Sequence, residues 1–120
     1  MEKSEIEDMF SSLGPVVIRP MFGGKGVYCK DVIIAVEFHG DILLKADDVS
    51  APALAAAGAA RWAYEGRAGK AINMPYWSIP ADAFDDPGVM ANWVRLAYEA
   101  ALRSAKVKGD GRRERLPQRT

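Results

Sequence analysis

The stretch 32–46, "VIIAVEFHGDILLKA", restricts the fold more than any other part of this sequence. Val32, Ile34, Val36 and Phe38 alternate with Ile33, Ala35 and Glu37. After the turn at His39-Gly40-Asp41, Ile42, Leu44 and Ala46 fall on one side and Lys45 on the other. Successive strand side chains point to opposite faces, so two alternating runs around a glycine-containing turn predict a β-hairpin.

Further strands are readable on both sides of it. "VVIR" (16–19) is short and β-branched, and "GVYC" (26–29) follows a glycine cluster. "RWAYE" and "KAINMPYWSI" form a second hairpin across Gly66-Arg67-Ala68-Gly69. Pro75 lacks a donor N–H and is expected at a strand edge or a bulge. Three helices complete the pattern. Ser4 and Glu7 read as a capping box, followed by one apolar face of Ile6, Met9, Phe10 and Leu13, with Gly14 and Pro15 as the stop. "SAPALAAAG" is a short helix with Ser50 as cap and Gly58 as stop, and its mostly alanine face buries little area. The longest helix is capped by Asp86 with Pro87 in its first position. Val89, Trp93, Leu96 and Ala100 form its apolar stripe with Met90, Val94 and Ala97 alongside, opposite Asn92, Arg95, Glu99 and Arg103. Glu99 and Arg103 are spaced as an i,i+4 pair worth ~0.3 kcal/mol. The order α-β-β-β-β-α-β-β-α predicts an α+β fold, a two-layer domain with an antiparallel sheet and helices packed on one face.

At 120 residues, 49% hydrophobic and 27% charged, the chain reads as one ordinary globular domain. No apolar run reaches the roughly 18 residues that a membrane span needs. The acidic, amphipathic N-terminal segment is unlike a secretory or transit peptide, so a cytoplasmic location is expected. One cysteine, Cys29, and one histidine, His39, cannot build an intrachain disulfide or a Cys/His zinc cage, and no cofactor is expected. The zero net charge is uneven: residues 1–105 carry 10 Lys+Arg against 14 Asp+Glu, whereas 106–120 carry 6 against 2. The division expected is a domain over 1–105 and a solvated basic tail over 106–120.

Several stretches suggest chemistry. "RPMFGGKGVYCK" could cradle a phosphate, but a P-loop needs a glycine where Arg19 stands, a Ser or Thr where Gly26 stands, and a helix after it. A KH-type G-x-x-G loop joins helices, and these flanks are strand-like. The reading favoured is a turn needing positive φ, with anion contact through Lys25 as the functional alternative. Asp47-Asp48 and Asp85-Asp86 each precede a helix and read as caps rather than as acid/base pairs. A Cys29–His39 dyad would need both side chains together, whereas Cys29 alternates within an apolar strand as a small hydrophobe. Trp93 lies on the helical stripe. Trp62/Tyr64 and Tyr76/Trp77 lie in strands, and Trp77, opposite in phase to Ile72, Met74 and Tyr76, is the candidate exposed ring. With few basic residues nearby, a base-stacking platform is not expected there. Arg112, Arg113, Arg115 and Arg119 could contact nucleic acid phosphates, the alternative being a solubilising tail.

The motifs also carry a resemblance. "RPMFGGKGVYCKDVIIAV", "LLKADD", "WAYEGRAGKAINMPYWSIP" and "DDPGVMANWVRLAYEAA", in that order over residues 5–103, resemble the N-terminal domain family of the TfoX/Sxy competence regulators of bacteria. The pieces that carry it are Met21, Phe22, Gly23, Gly24, Gly26 and Tyr28, then Lys45 within Leu-Lys-x-Asp-Asp, then Met74, Tyr76, Trp77 and Pro80. The resemblance implies an antiparallel α+β domain of the secretion-chaperone-like kind, often dimeric, with no active site. It implies a regulatory or protein-interaction role, with a protein partner or a second copy as occupant. Full-length members add a C-terminal helical domain, for which this sequence has no counterpart. The other readings carried forward are a DNA-associated regulator using the tail, and a small-molecule binder with a cleft near Cys29, His39 and Lys25.

Overall fold

The computed structural model describes residues 1–21 and 23–115, from residue 107 on as backbone alone. Helix α1 (Lys3–Met9) passes through a 3-10 turn (Ser11–Leu13) into strands β1 (Val17–Met21), β2 (Gly24–Cys29), β3 (Val32–Phe38) and β4 (Asp41–Lys45). Helix α2 (Ala51–Ala56) leads to β5 (Arg61–Glu65), a 3-10 turn (Arg67–Gly69) and β6 (Ala71–Ser78). A last 3-10 turn (Ala81–Asp85) precedes α3 (Pro87–Arg115). The strands make one antiparallel sheet in the order β1-β2-β3-β4-β6-β5. The fold is α+β. Because β6 pairs with β4, the connection through α2 sends β5 to the outer edge.

The central hairpin closes through a two-residue turn, since Phe38 pairs with Asp41. His39 and Gly40 both have positive φ, +53° and +89°, as a turn matching the right-handed strand twist requires. The alternation read from the sequence holds in β4 but breaks in β3. Val27 pairs with Ala35 and Tyr28 with Ile33, which leaves Ile34 as an extra, bulged residue. Ile34 and Ala35 are therefore both in the core, each fully buried. The phase changes there, so Glu37 lies on the helix side while Val36 and Phe38 face away from the helices.

The core lies between the sheet and two helices. Ile6 of α1, Phe10 at its C-terminal cap, and Met90, Val94 and Ala97 of α3 pack on Val27, Ile34, Ile42 and Leu44. Fully burying one such side chain contributes about 1.5–3 kcal/mol. Three local expectations are corrected. The first helix starts earlier than Ser4: Glu2 is its cap, and the Glu2 N–H donates to the Glu5 carboxylate at 2.9 Å. Arg103 does not pair with Glu99. It clasps Asp47 with two N–H groups at 2.6 and 2.9 Å, one to each carboxylate oxygen, the bidentate geometry of a strong charge-assisted pair. Glu99 instead accepts from Arg95 at 3.1 Å. Third, α3 continues past Lys106 to Arg115, beyond the end of its apolar stripe.

Asp47 joins the β4–α2 junction to α3. Its carboxylate also accepts the Val49 and Ser50 N–H groups, each at 3.1 Å. Hydrogen bonding from Arg103 is the largest cause of its lowered pKa, about 2, with Ser50 contributing against the opposing effect of burial. Asp86 caps α3 as expected, accepting from the Gly88 and Val89 N–H groups at 2.9 and 3.3 Å. Pro75 also sits as expected. It lies in a register irregularity between the Arg61–Trp77 and Ala63–Asn73 pairs, and its carbonyl accepts the Ala46 N–H at 3.0 Å.

Candidate functional site: a concave aromatic face

Pairing register places Tyr28, Ile33, Val36, Phe38, Lys45 and Tyr76 on the sheet face turned away from α1 and α3. Two strands, β4 and β6, separate Phe38 on β3 from Trp62 on β5. On a flat sheet three strand spacings amount to ~14 Å. The two ring centroids are nonetheless 5.0 Å apart. The sheet therefore curls, and the register irregularity around Pro75 gives β6 the extra length to do so. Trp62 is the hub of this face, with Tyr64 at 6.1 Å and Tyr76 at 6.4 Å and all three rings tilted against it. These separations are those of favourable tilted aromatic pairs.

Tyr76 is buried, and burial, followed by the neighbouring Tyr28, raises the pKa of its hydroxyl. Lys45 holds its ammonium 5.3 Å from the Tyr76 ring centre, and Arg19 does the same over Tyr28. Both cations favour the electron-rich ring faces. Beside the cluster opens a cleft of about 570 Å³ lined by Phe38, His39, Trp62, Tyr64 and Met74. Tyr64 at its rim is 47% exposed, and Ile72, its cross-strand partner on the same sheet face, is 40% exposed.

Residues spread along the sequence converge here. Gly26 packs under Met21, Tyr28 and Ile33, and a Cβ at this position would meet all three at 3.0–3.3 Å. Lys45, Met74 and Tyr76 belong to the same face. Gly23 forms the β1–β2 turn with φ of +80°, as expected of the glycine cluster, and Phe22 lies outside the described residues. A Cβ on Gly24 would run into the Glu37 carbonyl and the Phe38 ring. Pro80 leads the 3-10 turn before α3.

Other candidates are placed apart. Lys25 donates to the Met1 carbonyl at 2.8 Å, beside the Met1 ammonium and Glu37 carboxylate at 3.3 Å. Cys29 is 1% exposed within the core. It lies at the opposite end of β3 from His39, roughly 20 Å away at strand rise. The cleft expected near Cys29, His39 and Lys25 is thus not assembled, nor is the dyad. Trp77 faces the other way from Tyr76, as expected, but is largely buried, in a cleft of about 260 Å³ with Arg61, Asp48 and Ser104. The side chains of Arg112, Arg113, Arg115 and Arg119 lie outside the described residues.

A third cleft, about 530 Å³, lies between α1 and the start of α3, with Phe84 at its rim. Among the described residues no His, Cys, Asp and Glu side chains gather as a metal site, and no helix is long and apolar enough to cross a membrane. Sequence reasoning placed Phe38 only in an alternating strand run and Trp62 and Tyr64 only as strand aromatics. Their shared phase with Met74 and Tyr76 was a usable signal, but their meeting depends on the β4-β6-β5 order and the two bulges.

A family profile for the TfoX N-terminal domain matches residues 8–101. Comparison with curated proteins gives no match.

Proposed function

Because the chain belongs to the TfoX N-terminal domain family, we propose that it is a non-enzymatic regulatory domain that works by binding a protein partner in the cytoplasm. The observation that carries this reading is the concave aromatic face. Aromatic rings and methionine are the side chains that anchor protein interfaces, because they bury large area with few rotors to freeze. Phe38, Trp62, Tyr64 and Met74 offer such a set around a cleft open to solvent. The aliphatic residues on the other face are already spent on α1 and α3. An apolar side chain of a partner entering the cleft would meet rings on two sides, with the thioether of Met74 adapting to its shape. Control of transcription or of competence belongs to the same proposal, as the process into which such binding would feed.

The test is capture from native lysate on immobilised protein, comparing wild type with Trp62→Ala. Partner recovered by the wild type and lost by a folded Trp62→Ala supports the reading. Equal recovery by both contradicts it. A second reading, a small-molecule site in the same cleft, is favoured by its volume, which lies in the range of roughly 300–1,000 Å³ typical of ligand pockets. It expects a metabolite panel to raise the melting temperature of the wild type and not of Trp62→Ala.

A further inference from the structure

The two edges of the sheet are not alike. On β1 the chain carries Pro20, which has no N–H to offer, a common way of closing an edge to further pairing. On β5, "RWAYE", no residue removes a donor, and β5 ends the sheet among the described residues. The direction of its free groups can be read from its bonds to β6. The Gly66 N–H donates to the Lys70 carbonyl, and the Ala60 carbonyl accepts the Ser78 N–H. Backbone groups alternate in direction along a strand, so those of Trp62 and Tyr64 also turn toward β6. Those of Arg61, Ala63 and Glu65 point outward.

We infer that β5 pairs with β5 of a second copy, antiparallel about a two-fold axis at Ala63, joining the two sheets into one. The sequence of the strand is complementary to itself in that register. Ala63 faces Ala63, and each Arg61 faces Glu65 of the second copy, all three being residues whose N–H and C=O groups point outward. The intervening pairs set Trp62 against Tyr64 of the second copy, on the concave face, at the closer, non-hydrogen-bonded spacing where aromatic side chains meet best. A two-fold interface must be self-complementary, and here charge, ring and backbone donors match at once. Arg61, Ala63, Tyr64 and Glu65 are all exposed, as such pairing requires. A shift of register by two residues in either direction would remove both Arg61–Glu65 matches. The register is therefore set by the charges.

The inference stands apart from partner binding in the cleft, and one series of full-chain variants separates the two. Sedimentation equilibrium is run from low to several hundred micromolar. Wild type is expected to dimerise, and Ala63→Pro to stay monomeric with an unchanged circular dichroism spectrum, because the donor it removes points away from β6. Arg61→Glu and Glu65→Arg should each weaken the dimer about tenfold, since each turns two attractive cross-strand pairs into repulsive ones. Arg61→Glu combined with Glu65→Arg should return to within about threefold of wild type. A wild type that stays monomeric throughout overturns the inference. So does a dimer as tight in folded Ala63→Pro, or a double variant no tighter than its parents. If Ala63→Pro does not fold, the charge series decides alone. Lysate capture by any monomeric variant then reports on the cleft: loss of dimer with capture retained supports both readings, whereas a monomeric wild type that still captures partner contradicts only the β5 pairing.

Discussion

The two faces of the one sheet are furnished differently. Toward α1 and α3 it presents Val27, Ile34, Ala35 and Leu44, side chains that interdigitate closely with Phe10, Val94 and Ala97. Toward solvent it presents rings, a thioether and cations, arranged around Trp62 with a cleft left open. The switch from one furnishing to the other is made inside single strands. A bulge at Ile34 leaves Val32 and Ile34 on the helix side in the first half of β3 and lifts Val36 and Phe38 to the concave side in the second. Stability and recognition are thereby assigned to opposite faces. Substitutions can test that division, because the two faces should respond to truncation in different measurements.

The largest stability loss is expected from Phe10→Ala, a fully buried ring between α1 and the sheet. Urea unfolding should show a loss of about 3–5 kcal/mol. Gly24→Ala comes next, because the added Cβ meets backbone at the Glu37 carbonyl, which cannot move as a side chain could. The same titration should show about 1–3 kcal/mol.

The Asp47–Arg103 clasp is a smaller contributor, about 1 kcal/mol, since water screens both groups. Its sign with pH is fixed by the carboxyl, held at about 2 in the folded chain against an ordinary 3.8. The stabilisation is fully present above the unfolded value and is lost as the pH falls through about 2. Arg103→Met should flatten the stability profile between those limits and leave it unchanged near neutrality apart from a constant offset. An acid limb identical to wild type would remove the clasp from the account.

Smallest in stability is Tyr64→Ala, below about 0.5 kcal/mol for a rim residue so exposed. In partner binding the same variant should lose tenfold or more, as truncated interface anchors do. A variant set in which Tyr64→Ala destabilises as much as Phe10→Ala would erase the division between the faces.

Much of the fold was legible because its signals are local. The His39-Gly40 turn, the Asp86 cap, the Gly14 and Gly58 stops and the irregularity at Pro75 each follow from one or two residues and their backbone demands. What the sequence did not disclose depends on distant partners. The bulge at Ile34 arises from the register between β2 and β3, and nothing within "VIIAVEF" marks it. Arg103 chose Asp47 over Glu99 because α3 lies across the β4–α2 junction, a tertiary placement that helical spacing cannot register. The candidate site was the least visible part. Phe38, Trp62 and Tyr76 are far apart in sequence and meet only because β6 inserts between β4 and β5 and the sheet then curls.

The central claim, that the concave face is where this domain binds, is tested most directly by hydrogen–deuterium exchange on the protein with and without its captured partner at one fixed protein concentration. Exchange should slow in residues 36–39 and 72–76 on binding, with α1 and residues 81–91 unchanged. Protection confined to α1 and residues 81–91, the surroundings of Phe84, would contradict the account and move the binding site to the opposite side of the molecule.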